Sequence, residues 1–148
     1  MSKPAPLPFA LTHEVRDACL CLHVRRAARA TTRRYDEALR PAGLTSGQFS
    51  LLMALNRPEP PTIGEVAALL AMDRTTLTAD LKPLARDGFV AIAVDAKDRR
   101  GRRLALTETG RVALAAAVPL WRKAQADNAA RTGGLDADAL RAALVALA

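Results

Sequence analysis

The sequence has no long hydrophobic run. Its longest strongly apolar, uncharged stretch, Val112 to Trp121, is ten residues, where a membrane span needs about 20. A membrane protein is therefore not expected. Three prolines among the first eleven residues also break any apolar signal segment, so the start reads as a loose arm. Cysteine is scarce: Cys19 and Cys21 sit two apart, which argues against a disulfide scaffold and for the cytoplasm. The two histidines belong to no metal-ligand set, and no phosphate-binding loop, dinucleotide fingerprint or nucleophile elbow is present. No cofactor and no metal is expected, and a small enzyme would have little acid–base chemistry to draw on. Acid is the minority charge: 15 Asp+Glu against 22 Lys+Arg leaves +7. That excess favours a polyanion over a neutral partner. Eighteen of the 22 are Arg, the side chain suited to forked phosphate and guanine contacts. Only five residues are aromatic, but half are apolar and a quarter charged, so the chain is not disordered. At this length a single domain can bury a sizeable core.

What is present is helical punctuation. From His13 to Arg40 there is no Pro or Gly, which predicts one long helix. Leu20, Leu22 and Val24 fall on more than one of its faces, so it needs covering on more than one side. Pro41-Ala-Gly43 stops it. Two capping boxes follow, Thr45-Ser-Gly-Gln48 and Thr62-Ile-Gly-Glu65, each opening a short apolar helix. A break at Ala71-Met72 precedes Asp73, an N-cap for a helix running to Asp87-Gly88. The period then changes to strand. Phe89–Val94 and Arg103–Leu106 flank a turn, which predicts a hairpin. Thr107 caps a long Ala-rich helix that Pro119 is expected to interrupt. Asp136 caps a last helix with Leu140, Leu144 and Leu147 on one face.

Two short helices across a tight break, with a hairpin directly after the second, describe a winged helix-turn-helix. The chain is expected to be mainly α with a small β-hairpin wing: residues 45–107 as the DNA-binding winged helix, 12–41 and 108–148 as dimerisation helices. On the helix from Arg74, Leu77, Leu81 and Leu84 cluster on one side. Thr75, Thr78, Ala79, Lys82 and Arg86 cluster on the other, offering hydroxyls, a small residue and cations to a major groove. Arg74 and Thr76 are further candidates for contacting the duplex. The hairpin tip, Lys97-Asp-Arg-Arg-Gly-Arg-Arg103, holds five cations and one carboxylate. Lys97, Arg99, Arg100 and Arg102 can lie on the backbone or enter a minor groove, whose narrowness rewards an arginine.

Asp73-Arg-Thr-Thr-Leu-Thr78, Leu84-Ala-Arg-Asp-Gly-Phe-Val90, Asp95-Ala-Lys-Asp-Arg-Arg100 and Leu106-Thr107 with Gly110 closely resemble the MarR family of bacterial winged-helix regulators. The resemblance covers nearly the whole chain. It implies a homodimer with intertwined chain ends, one recognition helix per major groove and wings on the flanking minor grooves. It also implies a repressor that lets go of a pseudo-palindromic operator when a small aromatic or carboxylate effector, or an oxidant, reaches the dimer. Arg100 falls at the family's minor-groove arginine, and Asp73 where an acid steadies the wing.

Phe49, Met53 and Trp121 are candidates to line the effector cavity, and Arg16, Arg25 and Arg26 to anchor a carboxylate. Plain core packing is the competing account of the first three. The run Arg25–Arg34 carries five cations and no acid, for which a solvated face pairing with Asp36 and Glu37 competes with phosphate contact or pocket lining. Cys19 and His23, at i and i+4, are too few to hold a metal. Cys21 with Tyr35 is similar to the peroxide-sensing branch of the family, though Ser46 stands where that branch has a second Tyr. On a continuous helix Cys19 and Cys21 would point to different sides. Three functions thus stand open: an effector-released repressor, a thiol-based repressor using Cys21, and an architectural DNA binder without effector.

Overall fold

A computed structural model describes residues 5–148; the first residues of the expected loose arm, Met1 to Pro4, lie outside them. Helices α1 (Phe9–Ala18) and α2 (Leu20–Leu39) lead into a single 3-10 turn, Arg40–Ala42. Helices α3 (Ser46–Ala54), α4 (Ile63–Leu69) and α5 (Arg74–Arg86) precede strands β1 (Val90–Val94) and β2 (Arg102–Leu106), and α6 (Glu108–Ala130) and α7 (Ala137–Leu147) close the order. The fold is mainly α with one antiparallel hairpin, as the sequence implies. Residues up to Arg33 form one compact unit and Arg34–Ala148 a second.

In the first unit the expected unbroken helix is divided at Cys19. This residue is extended, with ψ 106°, yet its N–H still donates to the Val15 carbonyl at 3.0 Å and closes α1. Its carbonyl accepts the His23 N–H at 3.2 Å, and its Sγ accepts the Leu22 N–H at 3.5 Å. Cys19 therefore ends one helix and caps the next, its sulfur doing what a serine oxygen does at an N-cap. His23 Nδ1 lies 2.8 Å from the same carbonyl, which gives the Cys19–His23 spacing a structural role. Helix α1 starts earlier than expected, at Phe9, whose ring meets His13 edge-on. No α1 residue is buried; Phe9, Leu11 and Val15, with Leu20 and Val24 of α2, stay exposed.

The second unit holds the core. Both capping boxes form as read: Thr45 Oγ1 accepts the Gln48 N–H while Gln48 accepts from Thr45, and Thr62 and Glu65 do the same for α4. These fix where α3 and α4 start, and so which residues turn inward. Phe49, Leu51 and Leu52 of α3 pack with Leu77, Leu81 and Leu84 of α5, Val90, Leu104 and Leu106 of the hairpin, and Leu114 of α6. Each fully buried leucine contributes about 2 kcal/mol from removal of apolar surface from water. Between α4 and α5, Ala71 is left-handed at φ 51°, a conformation that costs an L-residue about 1 kcal/mol. The Met72 N–H holds this turn by donating to the Ala67 carbonyl at 2.9 Å. The hairpin pairs Val90 with Leu106 and Val94 with Arg102. The proline-rich loop adds a third edge to it, through Leu104 N–H to the Pro61 carbonyl and a bridge between Thr62 and Arg103.

Pro119 does not interrupt α6, and α5 runs through Pro83 in the same way. The carbonyls these prolines deprive of a donor belong to Ala79 and Ala115, both exposed, where solvent can satisfy them. Helix α7 has no buried residue, and Leu144, Val145 and Leu147 are exposed.

Candidate nucleic-acid interface

Burial divides α5 as its periodicity predicts: Leu77, Leu81 and Leu84 are inside, while Thr75, Thr76, Thr78, Ala79, Lys82 and Arg86 are exposed. The outer side chains are not equally available. Thr76 gives both its N–H and its hydroxyl to Asp73, at 2.8 Å each. Thr78 donates its hydroxyl to the Arg74 carbonyl at 2.7 Å. Arg86 is held by Asp87 at 2.9 Å. Arg74 lies over α4, its Nη2 only 2.8 Å from where a Cβ on Gly64 would sit. Thr75 and Lys82 are exposed with no such engagement among the described residues.

Two carboxylates lie near the start of α5 and at the wing root, Asp73 and Asp95. Asp73 is occupied as the cap of α5, and the Thr76 amide, then its hydroxyl, hold its carboxyl below the usual aspartate range. Of the two, Asp95 is the carboxylate that contacts the wing's own residues. It is buried, accepts the Lys97 N–H at 3.0 Å and pairs with Arg103 at 3.3 Å. Arg103 also donates to the Pro60 carbonyl at 2.9 Å, tying the wing root to the α3–α4 loop. The Lys97 amide keeps the Asp95 carboxyl below its ordinary range against the opposing effect of burial, and Arg103 adds to this. A carboxyl lowered by folding gives stability that is whole above its unfolded pKa and is lost as pH falls through the folded value. Asp95→Asn is therefore expected to weaken DNA binding by about tenfold at pH 7, the equivalent of roughly one well-made hydrogen bond to the duplex. In thermal melts at falling pH, it should narrow the stability difference from wild type. Equal affinity and parallel pH profiles would show that the wing holds itself without this carboxylate.

At the tip, Asp98 accepts the Arg100 N–H at 3.0 Å and its carbonyl accepts the Gly101 N–H at 2.8 Å, closing the turn. Arg102 folds back onto the carbonyls of Arg99 and Gly101. Lys97, Arg99 and Arg100 are exposed, and among the described residues no ion pair engages them. Asp95 and Arg103 are the residues that sequence reasoning missed. The signal was the alternation along β2, which turns Leu104 and Leu106 into the core but does not show which arginine meets the loop.

Phe49, Met53 and Trp121 come together with Ser50, Ala54, Leu69 and Leu70 around a mostly apolar cavity of about 410 Å³. The rings of Phe49 and Trp121 stack at 6.0 Å and 20°. No charged side chain lines this cavity among the described residues. Of the expected anchors, Arg16 is paired with Asp17 at 2.6 Å, and Arg25 and Arg26 lie exposed on α2. Tyr35 donates its hydroxyl to Gln125 at 2.5 Å, and Arg34 donates to Asn128 at 2.7 Å, fastening α6 to the end of α2. Burial pushes the Tyr35 phenol up, partly offset by Arg34. Cys21 is exposed.

A short helix, a tight turn, a helix with an open polar face and a hairpin with a basic tip define a winged helix-turn-helix protein. A model of the MarR family matches residues 42–101. The structure is similar to that of the M. tuberculosis transcriptional regulator MosR in complex with DNA, at 43% identity and TM-score 0.80, over 87% of this chain and 92% of that one. It is also similar to Bordetella bronchiseptica BpsR, whose DNA binding is regulated by 6-hydroxynicotinic acid, at 26% identity and TM-score 0.69 over 86% and 94% of the two chains. The transcriptional activatory protein BadR of Rhodopseudomonas palustris is 38% identical over 77 residues, 50% of this chain and 44% of that protein. The match spans about half the length of the first curated relatives. The chain belongs to the MarR family.

Proposed function

We propose that this protein is a sequence-specific, duplex-DNA-binding transcriptional repressor, rather than an enzyme. It acts in the cytoplasm as a homodimer and is released from its operator by a small aromatic effector. The observation that carries the reading is the pairing, within one unit, of an open Thr75–Lys82 helix face with a wing whose Lys97, Arg99 and Arg100 have no ionic partner among the described residues. The exposed apolar residues of α1 and α7 support a dimer, with 12–41 and 108–148 supplying its helices and 45–107 the DNA-binding part. No described helix is long and apolar enough to cross a membrane. For the effector, the Phe49–Met53–Trp121 cavity suits an aromatic ring, and its lack of charge favours a neutral ring over a carboxylate.

A second reading, release by oxidation of Cys21, is favoured by the break at Cys19. With Cys19 outside regular helix, helical spacing alone does not fix where its thiol lies relative to Cys21. One experiment separates these. Selection from random duplexes should return a pseudo-palindrome with half-sites about one helical turn apart. Wild type and Cys21→Ser are then compared on it with an organic hydroperoxide and with a panel of neutral and acidic aromatics. Because Trp121 is the single Trp, its fluorescence reports occupancy of the cavity. Release by an aromatic from both proteins, with Trp121 quenched, is the expected result. Peroxide release that disappears in Cys21→Ser, with no aromatic effective, establishes the second reading, and the absence of any preferred duplex overturns the regulator itself.

A further inference from the structure

Four arginines of α2 have no part in the helix-turn-helix, the wing or the cavity. At about 100° per residue, Arg25, Arg26, Arg29 and Arg33 fall within an arc of roughly 100°, and all four are exposed. Arg34 lies outside that arc and is turned to Asn128. The ordinary account of such a stripe is a solvated face neutralised by nearby acids, Asp36 and Glu37 being the candidates. Asp36 has a partner elsewhere, its Oδ1 accepting the Ser46 N–H at 2.7 Å. Among the described residues no ion pair reaches any of the four.

Some surface arginines elsewhere are ion-paired, though among the described residues those of the wing tip are not. Arg16, Arg86, Arg111 and Arg141 each hold a carboxylate from one to three residues away. Ala18 to Tyr35, by contrast, contains no acid at all. The i, i+4 spacing of Arg25, Arg29 and Arg33 stacks like charges on successive turns, which disfavours the helix unless an anion lies along it. The stripe is about 12 Å long, and duplex DNA carries one charge per about 1.7 Å of axis, so several phosphates fit along it. Forked guanidiniums suit phosphate oxygens better than ammonium groups do.

We propose that the Arg25–Arg26–Arg29–Arg33 face of α2 binds the phosphate backbone of duplex DNA, adding affinity without reading bases. This rests on duplex DNA being the partner. The test uses the full chain and a variant with all four arginines changed to Gln, titrated onto the selected palindrome and onto a random duplex from 50 to 200 mM NaCl. The slope of log K against log[salt] should shrink by about 0.9 for each phosphate no longer neutralised, and affinity for both duplexes should fall at least about tenfold. Base preference, measured by repeating the selection, should stay the same. The corresponding four-Lys variant should keep most of the slope, because it keeps the charge. Light scattering confirms that each variant has the wild-type assembly, and Arg29→Gln and Arg33→Gln singly carry the test if the fourfold Gln change disturbs it. A slope equal to wild type overturns the proposal, as does an effect on the palindrome alone. Wild type failing to bind any duplex is the separate failure of the DNA-binding reading.

Discussion

Gly110→Ala is expected to lower stability by about 3 kcal/mol, roughly 10 °C in thermal midpoint for a chain of this size. A Cβ at this position would lie 2.2 Å from the Phe89 carbonyl oxygen and 3.3 Å from Leu106 Cδ2. The first neighbour is backbone and cannot swing away like the end of a long side chain. That same carbonyl accepts the Thr107 N–H at 3.1 Å, while the Thr107 hydroxyl donates to the Gly88 carbonyl at 2.6 Å. The start of α6 is thus sewn to the α5–β1 junction, where Gly88 makes the turn at φ 79°. Forcing this junction apart pulls α6 from the hairpin and exposes Leu106 and Leu114. Circular-dichroism melts of the two proteins decide it; a drop of less than about 1 kcal/mol would mean the junction relaxes without strain.

Arg100→Ala is expected to weaken operator binding by about 30-fold at physiological salt. The proposed dimer presents two wings, and about 1 kcal/mol at each sums to about 2 kcal/mol. The Arg100 backbone is held by Asp98, and its side chain is exposed without an ionic partner among the described residues, so no internal contact has to break on binding. The effect should be larger for operators with A·T-rich flanks, where the narrow minor groove concentrates negative potential. Arg102→Ala should cost much less, because that guanidinium is already bonded to the wing's own carbonyls. Fluorescence anisotropy on the selected duplex reads both. Unchanged affinity for Arg100→Ala would remove the wing from the interface.

Much of this was legible from residue order because it depends on neighbours close in sequence. A capping box needs partners three residues apart, and Thr45–Gln48 and Thr62–Glu65 supply them without reference to the rest of the chain. The division of α5 into a leucine face and a polar face follows from helical period, and the hairpin from its β-rich runs about a charged turn. Helix continuity was less legible. Absence of Pro and Gly suggested one helix through Cys19, yet a cysteine can cap through sulfur, and its own backbone is extended there. Presence of Pro119 suggested a break in α6, yet forgoing one hydrogen bond whose acceptor faces solvent is tolerable within a helix this long.

The sequence by itself determined the winged helix-turn-helix, the basic wing and the excess of arginine, since these are set by local pattern and composition. Only the tertiary structure decided which of those groups are open. It buried Asp95 at the wing root and turned Arg103 inward to Pro60 and Asp95. It brought Phe49, Met53 and Trp121 around one cavity from two helices far apart in sequence. It also set Asp36 on the Ser46 amide. The reason is the same in each case: a charged or polar side chain has several partners within its reach, and which one it takes depends on groups that meet only when the core closes.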